Sequence, residues 1–410
     1  MHTTVAPLSH IRVLDLSRVL AGPWAAQFLA DMGAEVIKIE RPGEGDDTRG
    51  WGPPYLVEPT ADDPGISAYF TCTNRGKQSV AVDMATAAGQ DIIRRLAAKS
   101  DVVIENFKVG GLAKYGLDYA SLKAVNPKLI YCSVTGFGQT GPYANRAGYD
   151  YLVQGMGGLM SVTGEPDDVP GGGPMKVGVA IIDQVSGLNA LAAILTALIA
   201  RDRPIEQGGG HGCHIDVALL DASVSTLINQ ATTYLVAEQM PKRMGNAHPT
   251  VVPYQAFATA DGFIILAIGN DGQFARFCAA AELMGLAEDE RYRTNKGRII
   301  NRESLIPQIK ATLLQRGTSY WIDLLESRAV PCGPINTIDQ VFADPQVQHR
   351  GVRRVLQHPT AGPVAVVANP VRMTGHDTTA QKAPPLLGED TEAVLRDVLG
   401  MTAAEIAKFT

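Results

Sequence analysis

The amino-acid sequence predicts an α/β protein, with a large domain built on a parallel β-sheet and a smaller α+β domain. A strand, turn and helix rhythm repeats through roughly the first 130 residues, which is typical of a parallel sheet covered on both faces. An Asp-Gly turn at Asp261 and Gly262 separates two apolar runs and predicts an antiparallel hairpin. The length of 410 residues exceeds the usual size of one hydrophobic core, which favours two domains.

The large domain is expected to begin with a strand, helix, strand unit. Residues 11–16 and 34–40 are the strands, Pro23 takes the first helical position, and the helix covers 25–32. The turn after the first strand holds a single glycine, so the dinucleotide-binding fingerprint is missing, although Glu40 lies at about the expected spacing of ~20 residues. The motif gives little support for NAD binding.

Further strands are predicted at 79–83, 101–106 and 129–134, with helices at 89–99 and 117–125. Polar or glycine-containing loops lie at 74–77, 105–108 and 135–142. In open parallel sheets the loops at the carboxyl ends of the strands form the ligand crevice. The same loops are equally compatible with ordinary solvated turns, so both interpretations stay open here.

Asp183 ends the apolar run 177–182, which we interpret as a strand, and opens an apolar helix that runs to about Arg201. An aspartate in that position commonly caps its helix by accepting amide protons of the first turn. The same position also suits a nucleophile that the helix amides and dipole keep ionised. Position alone favours the cap. The glycines 171–173 upstream lack the Gly-Lys-Ser/Thr of a phosphate loop, and indicate either a flap beside the acid or a surface turn.

Four segments are expected. The large domain covers 1–205, and a linker at 206–224 includes a strand at 213–218. The small α+β domain covers 225–335. The proline-rich, irregular segment 336–410 returns to complete the large domain and closes with a helix near 391–399.

Composition narrows the class of protein. The net charge of -6 argues against a general affinity for nucleic acid and favours a small-molecule partner. Five cysteines without a Cys-x-x-Cys pair indicate reduced thiols and no zinc or disulfide framework. The N-terminal residues lack a signal pattern, and no uninterrupted apolar run reaches the ~18 residues of a membrane span. We therefore expect a cytoplasmic protein without a membrane partner.

Two other chemistries find little support. His211 and His214 are three residues apart without nearby carboxylate or cysteine partners, which is poor geometry for a metal site. A serine hydrolase would favour a Gly-x-Ser-x-Gly turn, and the sequence contains none.

Basic residues are the stronger clue in the predicted loops, and one lies beside the aromatic Phe107. They are Arg41, Arg75, Lys77, Lys108 and Lys114. Cations in several loops, together with an aromatic ring, are what a nucleotide with phosphates and a flat base requires. Solvated surface charge is the alternative interpretation.

In combination, several motifs resemble those of the class III CoA-transferases, the family of formyl-CoA transferase and carnitine CoA-transferase. They are Val13-Leu-Asp-Leu-Ser-Arg-Val-Leu-Ala-Gly-Pro, Ala34-Glu-Val-Ile-Lys-Ile-Glu-Arg-Pro-Gly-Glu-Gly-Asp, Asn74-Arg-Gly-Lys, Glu105-Asn-Phe, Gly136-Phe-Gly, Arg146-Ala-Gly-Tyr-Asp and the Asp183 segment. The resemblance implies a Rossmann-like large domain, an interlocked-ring homodimer and a catalytic role for Asp183.

The resemblance also implies where coenzyme A (CoA) binds as part of an acyl-CoA substrate. The expected contacts are Val19, Leu20, Ala21, Arg41, Asn74, Arg75, Lys77, Asn106, Phe107, Lys114, Ala147, Gly148, Tyr149 and Asp150. In the implied mechanism Asp183 forms a mixed anhydride and then an aspartyl-CoA thioester, without a metal or a permanently bound cofactor. Amides near the glycines 171–173 would stabilise the oxyanions.

Two departures from the family bear on the substrate. The oxalate-using members have Gln where this chain has Leu20, and a four-glycine loop where it has 245–254. Oxalate and formate are therefore disfavoured. The second half of the chain is similar to the dicarboxylate branch, exemplified by succinate–hydroxymethylglutarate CoA-transferase. That similarity implies succinyl-CoA as donor and glutarate, hydroxymethylglutarate, itaconate or citramalate as acceptor, with Arg243 or His248 binding the remote carboxylate.

Two alternatives stay open at this point. The α-methylacyl-CoA racemases are similar in sequence but use a His-Asp pair to move a proton, where this chain has Tyr149 and Asp150. A tyrosine is a poor base near neutral pH, which disfavours racemisation. A non-catalytic nucleotide-binding protein is the other alternative, if Asp183 only caps its helix.

Overall fold

The computed structural model describes residues 5–407. Its strands are β1 Arg12–Asp15, β2 Glu35–Glu40, β3 Tyr55–Val57, β4 Ile66–Ser67, β5 Lys77–Ala81, β6 Val102–Glu105, β7 Ile130–Thr135, β8 His214–Ala218, β9 Tyr254–Ala258, β10 Phe263–Ala267, β11 Cys332–Pro334, β12 Arg353–His358 and β13 Gly362–Val367.

The α-helices are α1 Ala21–Asp31, α2 Ala68–Thr71, α3 Ala87–Ala97, α4 Tyr119–Val125, α5 Asp150–Met156, α6 Leu159–Val162, α7 Ile181–Arg201, α8 Leu219–Ser225, α9 Ile228–Ala237, α10 Asp271–Ala280, α11 Met284–Glu288, α12 Asn295–Ile300, α13 Arg302–Leu313, α14 Thr318–Glu326, α15 Ile338–Ala343, α16 Pro345–His349, α17 Thr391–Leu399 and α18 Ala403–Ile406.

The chain forms two compact units. The first contains the chain up to Leu159, Val177–Ala231 and the chain from Pro345 onward, and the second contains Met160–Lys176 and Thr232–Asp344. Residues 160–176, which the sequence analysis assigned to the large domain, belong to the second unit. The segment 206–224 contributes β8 to the sheet of the first unit.

The first unit is built on a six-stranded sheet with the order β5-β2-β1-β6-β7-β8. All neighbouring strands in this sheet are parallel, which confirms the predicted α/β class and its parallel sheet. One core contains residues of α1 and α7, and a second contains residues of α3 and α17. Because connections between parallel strands are made by helices, both faces of this sheet are covered, and β1, β6 and β7 are buried along nearly their whole length.

Three predicted elements need correction. Residues 177–180 form no strand, and α7 begins at Ile181, two residues before Asp183. The segment after residue 336 is not irregular throughout, because β12 and β13 pair as an antiparallel hairpin with Arg353 opposite Val367. Helix α7 is also long and apolar enough to cross a membrane by length and composition, whereas no such run was expected. Its buried residues pack in the first core, as in the core helix of a globular domain.

The second unit contains the antiparallel sheet β11-β10-β9 with its own core of aliphatic and aromatic side chains. Strands β9 and β10 form the predicted hairpin around Asp261 and Gly262, with Ala258 opposite Phe263. Helices α10 to α14 supply much of the core beside this sheet.

Candidate active site

Asp183 lies in the first turn of α7, but it does not cap that helix. The residue before the helix, Ala180, provides no side-chain cap, and the carboxylate of Asp150 takes this role from another helix. Asp150 Oδ2 accepts hydrogen bonds from the backbone amides of Ile182 at 2.7 Å and Asp183 at 3.2 Å. The expectation that Asp183 is a helix cap is therefore wrong, because another acid satisfies the amides that a cap would bind.

A second contact fixes Asp150 in place. Its other oxygen, Oδ1, accepts a hydrogen bond of 2.6 Å from Gln154 Nε2, one turn along α5. Gln154 Oε1 in turn accepts a hydrogen bond of 2.9 Å from the backbone amide of Val177. The chain entering α7 and the first turn of α5 are thus joined by two side chains, and the position of Asp183 depends on both.

The carboxylate of Asp183 is half-buried and has neither a hydrogen-bond donor nor a cationic partner among residues 5–407. Burial, and then the negative charge of Asp150, raise the pKa of Asp183 from 3.8 to about 7. From the sequence, the helix amides are expected to keep this acid ionised. That expectation is wrong because Asp150 engages those amides and adds a like charge. A desolvated carboxylate without partners is an ionisable group of the kind that clusters at functional sites.

Tyr69 is a neighbour of Asp183 that the sequence analysis missed. Burial, and then the charge of Asp183, raise the pKa of the Tyr69 phenol to about 12. Its ring meets Trp51 edge to face, with 5.1 Å between the ring centroids. No pattern around Tyr69 sets it apart from a core tyrosine, so only the tertiary structure identifies it.

The loops after β1 and β6 lie against each other, and both carry predicted CoA contacts. Asn106 Nδ2 donates to the carbonyl oxygen of Arg18 at 2.6 Å, and Asn106 Oδ1 accepts from the Arg18 amide at 2.9 Å. The Arg18 guanidinium lies 5.2 Å from the centre of the Phe107 ring and forms an ion pair of 3.0 Å with Asp47. Arg18 was not among the predicted residues, although it directly precedes Val19, and it adds a cation to this group.

The predicted basic residues divide into exposed and buried ones. Arg41 and Lys114 are exposed: Arg41 pairs with Glu44 at 2.9 Å, and Lys114 Nζ lies 4.5 Å from the centre of the Tyr115 ring. Arg41 lies in a loop and Lys114 in a short 3-10 helix of the first unit, and an anionic ligand can reach both cations.

Lys77 and Arg75, by contrast, are buried together with Asn74. Lys77 Nζ contacts Asp15 Oδ2 at 2.8 Å and Asn74 Oδ1 at 2.9 Å, and burial lowers the pKa of Lys77 to about 8. Arg75 forms a bidentate ion pair with Asp31. In this arrangement the two cations neutralise buried acids of the large unit and do not present their charges to solvent.

The turn before α5 depends on close backbone packing. Gly148 lies against Gly136, and a Cβ atom on Gly148 would come within 2.3 Å of the Gly136 Cα. Ala147 is exposed, and Tyr149 is 66% exposed with its side chain toward solvent. This turn presents Ala147 and Tyr149 at the surface while Asp150 contacts the start of α7.

Arg243 and His248 lie in the second unit. The Arg243 guanidinium forms an ion pair with Asp167 and donates to the Ser161 carbonyl at 3.2 Å, so its charge is already matched. The His248 ring lies edge to face with Tyr254 at 5.4 Å, and Arg302 Nη2 donates to the His248 carbonyl at 2.6 Å. Of the two candidates, His248 is the one without an ionic partner in the described chain.

The glycines 171–173 also lie in the second unit, in a segment of turns. A Cβ atom on Gly172 would come within 1.9 Å of the Pro166 carbonyl oxygen, so this position requires glycine for close packing. Within residues 5–407, no group of three or more His, Cys, Asp or Glu side chains could hold a metal ion. His214 instead lies 2.9 Å from Ser133 Oγ, and His211 is exposed.

Comparison with known proteins agrees with these observations. Residues 8–391 match the profile of CoA-transferase family III. The chain is 51% identical over 393 residues to a succinate–glutarate CoA-transferase of Agrobacterium fabrum, covering 96% of each protein. It is 43% identical over 395 residues to human succinyl-CoA:glutarate CoA-transferase, covering 96% of this chain and 86% of the human protein.

A solved structure shares the fold over almost the whole chain. The crystal structure of a CAIB/BAIF family protein from Brucella suis superposes with a TM-score of 0.84 at 46% sequence identity, covering 96% of this chain and 100% of the other. The chain therefore belongs to CoA-transferase family III and is an enzyme that transfers coenzyme A.

Proposed function

We propose that this enzyme moves CoA from succinyl-CoA to glutarate, with Asp183 as the nucleophile. The observation that carries the proposal is the state of the Asp183 carboxylate: it is half-buried, unpaired in the described chain and poised to ionise near neutral pH, while Asp150 caps α7. The named activities of the Agrobacterium and human relatives support the choice of acids. Hydroxymethylglutarate, itaconate and citramalate are the other acceptors to be compared with glutarate.

The first half of the reaction loads the enzyme. An Asp183 oxygen attacks the thioester carbon of succinyl-CoA, the carbon–sulfur bond breaks, and CoA leaves as the thiolate. The product is a mixed anhydride of Asp183 and succinate. The thiolate then attacks the Asp183 carbonyl carbon, which releases succinate and leaves an aspartyl-CoA thioester.

The second half repeats these steps in reverse order with the new acid. A glutarate carboxylate attacks the Asp183 carbonyl carbon and displaces the thiolate, which gives a second mixed anhydride. The thiolate attacks the glutaryl carbon of this anhydride, so glutaryl-CoA leaves and the Asp183 carboxylate is regenerated. Over the whole cycle each carbon–sulfur bond that breaks is matched by one that forms, and no atom changes oxidation state. The proposed cycle therefore needs no redox cofactor, and we propose that it uses neither a metal nor a permanently bound cofactor.

The proposed CoA site consists of the loops of the first unit. Arg41 and Lys114 are the exposed cations for the phosphates, and Phe107 with Arg18 offers a flat surface for the base. Val19, Leu20, Asn106 and the 147–150 turn form the proposed walls, whereas Ala21 is a buried residue at the start of α1. Asn74, Arg75 and Lys77 support the site from beneath, because their side chains are buried.

For the distal carboxylate of the dicarboxylic acid we propose His248. Arg243 is less suited because its side chain is only 13% exposed and is paired with Asp167. The His248 imidazole has no acidic partner in the described residues, and its Nδ1 accepts the Thr250 amide at 3.2 Å. That contact orients the ring and leaves Nε2 for the substrate.

The assembly we propose is the interlocked homodimer implied by the family, with a Rossmann-like large domain and residues 336–410 completing it. Exposed apolar side chains of the first unit support a large interface: Leu188 and Ile199 on α7, and Ile228 at the start of α9. We propose that the enzyme works in a reducing compartment such as the cytoplasm, since all five cysteines are free. The proposed reaction involves neither nucleic acid nor a membrane.

Racemisation is the disfavoured alternative. It requires a base that removes the α-proton, and Asp150, the acid of the candidate pair, is engaged with two backbone amides and Gln154. Its neighbour Tyr149 points its phenol toward solvent.

The test is a transfer assay with succinyl-CoA and glutarate, in which glutaryl-CoA is followed by mass spectrometry. We expect glutaryl-CoA from the native enzyme and from Asp221→Asn, which changes an exposed acid in the first turn of α8, and none above background from Asp183→Asn. Hydroxylamine added with succinyl-CoA should modify Asp183 alone. Transfer that survives Asp183→Asn, or exchange of the α-proton of a 2-methylacyl-CoA with deuterium without a second acid, would contradict the proposal.

A further inference from the structure

Val19 has an unusual backbone conformation in the loop between β1 and α1. Its φ angle is 71°, in the left-handed region that favours glycine. Residues branched at Cβ, such as valine, adopt this region rarely, because the side chain crowds the neighbouring carbonyl. Strained residues of this kind persist only where the surrounding structure holds them, and they cluster at functional sites.

The backbone amide of Val19 has a single side-chain partner, the carboxylate of Asp46. Asp46 Oδ1 accepts a hydrogen bond of 3.2 Å from the Val19 amide. The same oxygen accepts from the Thr48 amide at 2.9 Å and from its hydroxyl at 2.8 Å, and these two further contacts fix the position of the carboxylate. Asp46 is 1% exposed, so water does not compete for these contacts.

Lys38 completes the support beneath the loop. Its ammonium contacts Asp46 Oδ2 at 2.9 Å and donates to the Ser17 carbonyl at 2.8 Å. Burial alone would raise the pKa of Asp46, but Lys38 and the Thr48 donors hold it at about 2, so the carboxylate is charged at any working pH. Asp46 and Lys38 therefore hold the loop at Val19 and Ser17, and Asn106 holds Arg18 between them.

We propose that Asp46 is a positioning residue for CoA, which stabilises the left-handed backbone of Val19 and thereby fixes the loop 17–20 in the conformation that binds the coenzyme. The inference rests on the proposed function, because that proposal assigns this loop to CoA. It adds a residue outside the expected contacts, since Asp46 is buried and acts through Val19.

The consequence of losing Asp46 follows from the conformational preference of valine. Without an acceptor for its amide, Val19 relaxes to negative φ, and the binding conformation becomes a minority of the population. The apparent dissociation constant of CoA then rises by the same factor as that population falls, on the order of tenfold or more. The affinity for glutarate, which binds elsewhere, should change little.

The test measures the binding of free CoA by titration calorimetry to the single variant Asp46→Ala and to two double variants, which add Val19→Gly or Val19→Ala to it. Asp46→Ala should weaken CoA binding about tenfold, leave the KM for glutarate within about twofold, and remain folded by circular dichroism. Adding Val19→Gly should restore the dissociation constant to within about threefold, because glycine adopts positive φ without support. Adding Val19→Ala instead should restore clearly less than Val19→Gly, since alanine is not branched at Cβ but still carries the Cβ atom that disfavours positive φ.

Two results would overturn the positioning role of Asp46. Unchanged CoA binding in Asp46→Ala, or equal rescue by glycine and alanine, would overturn the proposal. If Asp46→Ala does not fold, the melting temperatures of the single variants decide: Val19→Gly should be more stable than Val19→Ala, and the reverse order would remove the basis for strain at this position. A native enzyme that fails to bind CoA would instead refute the proposed function.

Discussion

Replacing Asp183 by asparagine should make the folded protein more stable at alkaline pH while abolishing transfer. The native carboxyl has a pKa of about 7 in the folded protein and an ordinary value of 3.8. Between these values the folded state holds a proton that the unfolded state lacks, so the free energy of unfolding falls as the pH rises through this window. Above about pH 7 the folded protein carries an unpaired, half-buried charge that asparagine does not have.

The size of this gain in stability follows from the difference between the two pKa values of Asp183. A change from 3.8 to about 7 corresponds to at most about 4 kcal/mol in the free energy of unfolding. Because part of the side chain is exposed and screened by water, we expect about 1–2 kcal/mol at about pH 8.5. A gain of that size raises the melting temperature of a unit as large as the first one by about 2–4 °C.

The assay is thermal unfolding of the native enzyme, Asp183→Asn and Asp221→Asn at about pH 5 and about pH 8.5. The gain of Asp183→Asn should be largest at the higher pH and fall to less than half at the lower one. Asp221→Asn alters an exposed acid in the first turn of a neighbouring helix and should show no such gain with pH. If Asp183→Asn is no more stable than the native enzyme at about pH 8.5, the Asp183 carboxylate is not a half-buried charge without a partner.

Three further outcomes are expected. Asp150→Asn keeps an oxygen for the α7 amides but removes the negative charge beside Asp183, so it should lower the pKa of Asp183. The acidic limb of the kcat/KM profile, expected near pH 7 in the native enzyme, should then move to lower pH. An unmoved limb would exclude an effect of the Asp150 charge on Asp183. Arg75→Met leaves Asp31 buried without its partner and should cost about 3–5 kcal/mol of unfolding free energy in urea titrations, whereas a cost below about 1 kcal/mol would show that the pair is not truly buried. Gly187→Ala places a Cβ atom 2.7 Å from a carbonyl oxygen of α1 and should cost about 1–3 kcal/mol, and an unchanged melting temperature would contradict that close approach.

The sheet could be predicted from the sequence because its signal is local. Each predicted strand contains apolar residues and is followed by a turn or helix, and all six predicted positions overlap strands of the structure, although β5 and β8 are more polar than the others. The run before Asp183 was misassigned because apolar residues entering a buried helix look the same as a buried strand. The β12–β13 hairpin was missed because its register depends on cross-strand partners that lie in a proline-rich segment.

The candidate site was harder to predict, because its properties arise from pairs far apart in sequence. Asp150 binds the backbone amide of Asp183, which lies 33 residues further along the chain, and no local sequence motif predicts that contact. Arg75 and Lys77 have the residue types of a phosphate site, but their partners Asp31 and Asp15 turn them inward. Residue type identified the charges, and tertiary structure decided which of them face a ligand.

The most direct test of Asp183 as nucleophile is to follow oxygen atoms during turnover. When the second anhydride is resolved by attack of the thiolate on the glutaryl carbon, the bridging oxygen, which came from glutarate, stays on the Asp183 carboxylate. With succinyl-CoA and glutarate labelled with heavy oxygen in its carboxylates, peptide mass spectrometry should find the label on Asp183. Turnover that leaves the Asp183 peptide unlabelled, or that labels another acid, would contradict the account.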